Sequence, residues 1–297
     1  MYTELRKIFS SCDFSITLQS EIRNNKMTRS QLVTAISDKR NFLCVGLDTA
    51  VNLIPLHLGS SYQSIITFNK SIIDATIDHC VSYKINTAFY ESMGSKGWDI
   101  IGDTLNYIPS THFTIADAKR GDIGNTSSQY AKTFFETFNF DSVTVAPYMG
   151  EDSIRPFLEY ENKVTIVLGL TSNKGAFDFQ YQLIDGEPLF LKVIKKVAKW
   201  GTKDNLMFVV GATKSNDLSI IRQHIPEHFL LIPGVGAQGG SLEDVAKYGL
   251  NKEVGLLVNL SRGIIYASHR EDYEKAATEE AFKYASQMRT IMENSFK

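Results

Sequence analysis

"FTIADAKRGDIGNT", Phe113 to Thr126, is a β-forming apolar run that ends in a burst of charge. Asp117, Lys119, Arg120 and Asp122 all fall within six residues. Charges at that density usually stand in water, yet here they follow directly on residues suited to burial. A buried strand with polar groups at its C-terminal end is what a (β/α)8 barrel requires, because such barrels carry their active sites at that end. The fold therefore turns on whether seven more strands of this kind exist.

The other runs are "FLCVGL" (42–47), "VSYKIN" (81–86), "SVTVAP" (142–147), "VTIVLGL" (164–170), "LMFVVGA" (206–212), "FLLIPG" (229–234) and "GLLVNL" (255–260). With "HFTIAD" (112–117) they make eight. They are near-continuously apolar rather than alternating, as parallel strands covered on both faces should be. Between them, helical spacing covers 61–80, 97–108, 127–138, 152–160, 188–200, 215–225 and 241–249, and a final helix is expected over 272–294. The alternation predicts a single-domain α/β protein, a (β/α)8 TIM barrel over residues 29–297. "MTRSQLVTAI" from Met27 opens an amphipathic helix. Residues 1–28 are expected to be an N-terminal extension, with 1–26 an upstream segment or the result of a misplaced start codon. The one long stretch without a pattern is 171–188, "TSNKGAFDFQYQLIDGEP". A loop of that length in a compact domain reads as a lid or binding loop.

Bulk properties exclude several classes. The chain has 297 residues, 43% hydrophobic and 22% charged, with a net charge of −2. That balance, without a basic run, gives no electrostatic case for nucleic acid. No apolar run approaches the about 18 residues that a membrane helix needs. The three cysteines, Cys12, Cys44 and Cys80, are far apart and form no CxxC. A sparse, odd count fits a reducing cytoplasm rather than a disulfide framework or a zinc site. His57, His79, His112 and the other histidines fit no triad or metal spacing and are expected to be structural.

Residues two apart on a strand share a face, so Asp117 and Lys119 should both look into the barrel mouth. Ala118 should face the helices, Gly121 should break the strand, and Asp122 should project from a loop, free of the cavity that Asp117 lines. The competing reading is an ion cluster at the start of the next helix, with Asp122 and Asn125 in a turn and Thr126 as N-cap. A lysine held between carboxylates stays protonated. It then serves as a fixed cation and proton donor, which suits chemistry that builds negative charge on carbon.

Other polar groups follow the remaining strands. Asp48 and Lys84 belong to the first and second, and Thr171, Ser172 and Asn173 follow the fifth. "PGVGAQGG" after the seventh has GxGxxG spacing at Gly234, Gly236 and Gly239, and Arg262 follows the eighth. Barrels commonly hold phosphate with the loops after strands seven and eight, so Gly236, Gln238 and Arg262 are candidate phosphate contacts.

The segments "GLD" (46–48), "YKINTAFYE" (83–91), "DAKRGDIGNT" (117–126), "LGLTSN" (168–173), "PGVGAQGG" (233–240) and "LVNLSRGI" (257–264) occur in this order. In this the chain resembles the orotidine 5′-phosphate decarboxylase family, with D-x-K-x-x-D in the form of its bacterial second type. The resemblance covers about Arg29 to the C-terminus. It implies conversion of orotidine 5′-phosphate to UMP and CO2 without metal or organic cofactor, in a cytoplasmic homodimer that shares its sites. It implies that Lys119 protonates C6 of the pyrimidine and that Asp117 lies beside the substrate carboxylate. Lys84 and Asp122, the latter from the partner, would complete an alternating Lys–Asp–Lys–Asp chain. Asp48 and Lys84 would bind ribose hydroxyls with help from the partner's Thr126. Thr171 or Ser172 would read the pyrimidine, and Gln238 and Arg262 would bind phosphate. Two rivals stay open: a metal-using (β/α)8 decarboxylase of a sugar phosphate or β-keto acid, and a non-catalytic nucleotide-binding barrel.

Overall fold

The computed structural model describes residues 27–212, 215–236 and 239–296. Eight parallel strands close into a barrel. They are β1 (Leu43–Gly46), β2 (Ser82–Asn86), β3 (Phe113–Arg120), β4 (Ser142–Val145), β5 (Val164–Leu170), β6 (Leu206–Val210), β7 (Leu230–Pro233) and β8 (Leu256–Leu260). β1 closes the ring by pairing with β8 as well as β2. Strand residues such as Phe113, Val143, Ile166, Phe208 and Leu257 are fully buried, as strands covered by helices on the outside require.

The expected helices are present, including Tyr62–Thr76, Ser95–Tyr107, Leu189–Val197 and the long Tyr273–Ser295. The described chain begins at Met27, whose N–H donates to Asp141 Oδ1 at 2.8 Å. Thr28 caps the helix Arg29–Lys39 in a capping box with Gln31. The expectations for residues 1–26 lie outside the described residues.

Three details differ from the sequence reading. The helix after β3 begins at Gly124 with Ile123 as its N-cap, so Thr126 lies in the first turn rather than at the cap. The segment 171–188 is not patternless: it holds a short helix, Ala176–Phe179, and a small hairpin pairing Leu183–Ile184 with Glu187–Pro188. Asp185 and Gly186 turn that hairpin with φ of 53° and 79°, the left-handed pair of a type I′ turn. The third difference is in β3. Ala116 pairs with Val143 but Arg120 pairs with Val145, so β3 advances four residues while β4 advances two. Lys119 sits inside this bulge with φ of 49°, a region that residues with a β-carbon adopt only at a cost.

Candidate active site

Lys84 projects from β2 and is almost wholly buried, its side chain 4% exposed. Its Nζ lies 3.2 Å from Asp48 Oδ1 and 3.1 Å from Asp117 Oδ2. The other Asp117 oxygen, Oδ1, receives Lys119 Nζ at 2.6 Å. Register explains the assembly. Gly46 stands opposite Lys84, and Asn86 opposite Asp117, so the C-terminal ends of three neighbouring strands bring their charges together. Regular pleating does not by itself aim Lys119; the bulge does, by turning its backbone left-handed before the side chain leaves.

Burial pushes the Asp117 carboxyl up, but the Lys84 and Lys119 ammonium groups outweigh it and hold the carboxyl well below the usual carboxylate range. Burial works against the charge of Lys84, yet Asp117 and then Asp48 outweigh that and raise its pKa above the ordinary lysine value. Lys84 and Asp117 thus keep fixed charges of both signs where water is scarce, which is the condition for electrostatic preorganisation.

A cavity of about 210 Å³ opens beside these groups. Asp48, Lys84 and Asp117 line it together with Gly234, Val235, Ser261 and Arg262. Asn86, Asn259 and Tyr284 also face it, and none of the three was singled out from the sequence. Tyr284 comes from the final helix, and a side chain at Gly236 (φ 72°) would meet its hydroxyl at 2.8 Å. The glycine loop closes on itself: Gly236 N–H donates to Gly240 O at 3.0 Å and Gly239 N–H to Gly236 O at 2.9 Å. Gln238 lies outside the described residues.

The other expected residues take distinct places. Asp122 is half-buried and accepts the Ile123 N–H at 2.8 Å; among the described residues it pairs with neither Lys84 nor Lys119 of its own chain. Thr126 is exposed. The Thr171 hydroxyl donates to Asn173 Oδ1 at 2.6 Å and accepts from Gln180 Nε2 at 2.8 Å, so it ties the 171–188 segment together. Thr171 lines a separate apolar cavity with Tyr148, Leu168 and Phe190. Ser172 packs over Gly211 at the end of β6, where an added Cβ would come within 2.8 Å of it. Among the described residues, no group of three or more His, Cys, Asp or Glu side chains could hold a metal ion.

Residues 41–277 match the orotidine 5′-phosphate decarboxylase / HUMPS family. An orotidine 5′-phosphate decarboxylase of Flavobacterium johnsoniae is 55% identical over 91% of this chain and 100% of its own length. One from Phocaeicola vulgatus is 55% identical over 90% of this chain and 99% of its own. The structure of Leishmania donovani OMP decarboxylase superposes with a TM-score of 0.77 at 32% identity, covering 89% of this chain and 99% of that one. Barrel, mouth charges and a match running from before β1 into the final helix agree, and the chain belongs to the orotidine 5′-phosphate decarboxylase / HUMPS family.

Proposed function

We infer that this chain decarboxylates orotidine 5′-phosphate to UMP and CO2, the last step of de novo pyrimidine biosynthesis, as a carboxy-lyase of a family that works without a cofactor. The observation that carries the reading is the unbroken run Asp48–Lys84–Asp117–Lys119, whose first three members line a cavity together with Arg262. The C6–carboxylate bond breaks, CO2 departs and the electron pair stays on C6. The Lys119 ammonium opposes that charge and then delivers a proton to C6, regaining one from water. Asp117 holds the ammonium in place and lies beside the substrate carboxylate. Asp48 and Lys84 take the ribose hydroxyls, and Arg262 the phosphate, assisted by Gly236 and Gln238. Thr171 or Ser172 is the reader of the pyrimidine edge.

The site is completed by a second copy of the chain, which supplies Asp122 to the Lys119 end and Thr126 to the ribose. Support comes from Asp122, which among the described residues pairs with neither Lys84 nor Lys119 of its own chain, and from Ile123 and Tyr148, 61% and 91% exposed on the loops after β3 and β4. The form "DAKRGDIGNT" supports the bacterial second type. Buried, unpaired Cys44 and Cys80 support a cytoplasmic location. Among the described residues no helix is long and apolar enough to cross a membrane.

The test is to mix the purified protein with orotidine 5′-phosphate, with and without EDTA, and follow the ultraviolet absorbance of the pyrimidine. The expected result is the same conversion to UMP in both. A silent cuvette sinks the reaction, and loss of turnover with EDTA moves the chain to the metal-using barrels.

A further inference from the structure

Thr144 has no place in the roles above, yet it touches two of their principal residues. It is the third residue of β4 and is fully buried. Its hydroxyl accepts the backbone N–H of Lys119 at 2.9 Å and donates to Asp117 Oδ1 at 3.0 Å. A hydroxyl has one proton to give and two lone pairs to receive with, so both bonds form together. The Asp117 oxygen that Thr144 reaches is the one that also accepts Lys119 Nζ. One hydroxyl is thereby tied to the backbone of the lysine and to the carboxylate that holds its side chain.

The position matters because the Lys119 backbone is strained. A left-handed residue with a β-carbon is strained and persists only where its surroundings enforce it. In the bulge the Lys119 N–H finds a side-chain acceptor on β4. From the other side, Arg120 Nη1 donates to Ala118 O at 2.8 Å. The Arg120 guanidinium is itself fixed by an ion pair with Glu91 and by the faces of Tyr130 and Phe134, 5.4 Å and 5.5 Å away. Arg120 steadies the peptide before Lys119, while Thr144 alone of these groups also touches the reacting pair.

We propose that Thr144 is a positioning residue of the decarboxylation: its hydroxyl locks the β3 bulge and orients the Asp117 carboxylate, so that the Lys119 ammonium is aimed before substrate arrives. The proposal rests on the reaction assigned above. It concerns turnover rather than affinity, because Thr144 bonds to the proton donor and its carboxylate, not to the ribose or phosphate groups.

Thr144→Val keeps the branched shape and removes the hydroxyl, whereas Thr144→Ser keeps the hydroxyl and removes a methyl group. A misplacement on the order of 1 Å can cost about 100-fold in rate. The expected result is a kcat lower by roughly 10–100-fold in Thr144→Val, with KM within about threefold, and recovery to within about threefold of the unaltered kcat in Thr144→Ser. Circular dichroism establishes that each variant is folded; should the valine protein fail, Thr144→Ala against Thr144→Ser makes the same comparison. A valine or alanine variant with the unaltered kcat overturns the proposal, as does a serine variant as slow as either. An unaltered chain that leaves orotidine 5′-phosphate untouched is a different result, and removes the reaction itself along with the role.

Discussion

Lys119 Nζ lies 2.6 Å from Asp117 Oδ1, and the two side chains face different surroundings: the lysine is 50% exposed and the aspartate 12%. The pair ties a half-exposed cation to a largely buried carboxylate that lines the cavity. A half-exposed ammonium adds little to stability, so its placement is a matter of chemistry.

Lys119→Ala is accordingly expected to lose nearly all turnover while its melting temperature stays close to that of the unaltered chain. Lys119→Arg should fail as well, because arginine keeps the charge but releases no proton. The left-handed backbone adds a further expectation. A β-carbon there costs about 1–2 kcal/mol, so Lys119→Gly should melt no lower than Lys119→Ala although glycine is the more flexible residue. Substantial turnover in the alanine protein would remove Lys119 from the mechanism.

Acid stability tests the carboxylate. Asp117 has its pKa lowered in the folded chain by Lys84 and Lys119, so on acidification the unfolded chain takes up the proton first. The stability it contributes is present above the unfolded value of about 4 and is lost as pH falls toward the folded value. Lys84 has its pKa raised; its contribution is present below the unfolded value of about 10.4 and is lost as pH rises through the folded one. Urea unfolding between pH 3 and 7 should show a steeper acid decline in the unaltered chain than in Asp117→Asn. Equal slopes would mean that Asp117 is not held ionised in the fold.

Arg262→Ala should lower kcat/KM for orotidine 5′-phosphate by roughly 10–100-fold, the equivalent of one charged hydrogen bond of ~1.5–3 kcal/mol. The slow reaction of orotidine, which has no phosphate, should scarcely change, since binding energy that is never formed cannot be lost. Equal losses on the two substrates would make Arg262 a structural residue.

The shared site is tested by subunit exchange. Lys119→Ala and Asp122→Asn are each expected to be inactive alone. In a mixed dimer one site carries both changes and the other carries neither. Random exchange at equal amounts makes about half the dimers mixed, so roughly a quarter of all sites are restored. Mass spectrometry reports the exchange. Exchange with flat activity would place the action of Asp122 within its own chain.

The barrel was legible because a parallel strand buried on both faces is apolar throughout; Leu206–Val210 is entirely buried. Asp48, Lys84 and Asp117 were legible as a set because neighbouring parallel strands end side by side, so position in the strand order implies proximity. The bulge was not. Lys119 carries none of the glycine or asparagine signature of a left-handed residue, and the register shift that places it comes from tertiary pairing with β4. Thr144 sits in "SVTV", where a threonine looks like any β-branched strand residue. Tyr284 lies on a helix whose spacing reads as packing, far in sequence from the cavity it lines. The Asp185–Gly186 hairpin signal was present, but its two-residue strands are too short to show alternation.

Within one chain Lys84 and Lys119 are balanced in formal charge by Asp48 and Asp117, and the partner's Asp122, as proposed, adds one negative charge. A neutral quartet of this kind has a field that dies away faster than that of a single ion, well inside the ~10 Å Debye length of 0.1 M salt. An approaching phosphate ester therefore senses little of it from solution, and long-range attraction falls to Arg262 at the edge of the cavity. Ionic strength consequently acts on the encounter and not on the bond-breaking step: added salt depresses kcat/KM while kcat at saturation holds steady.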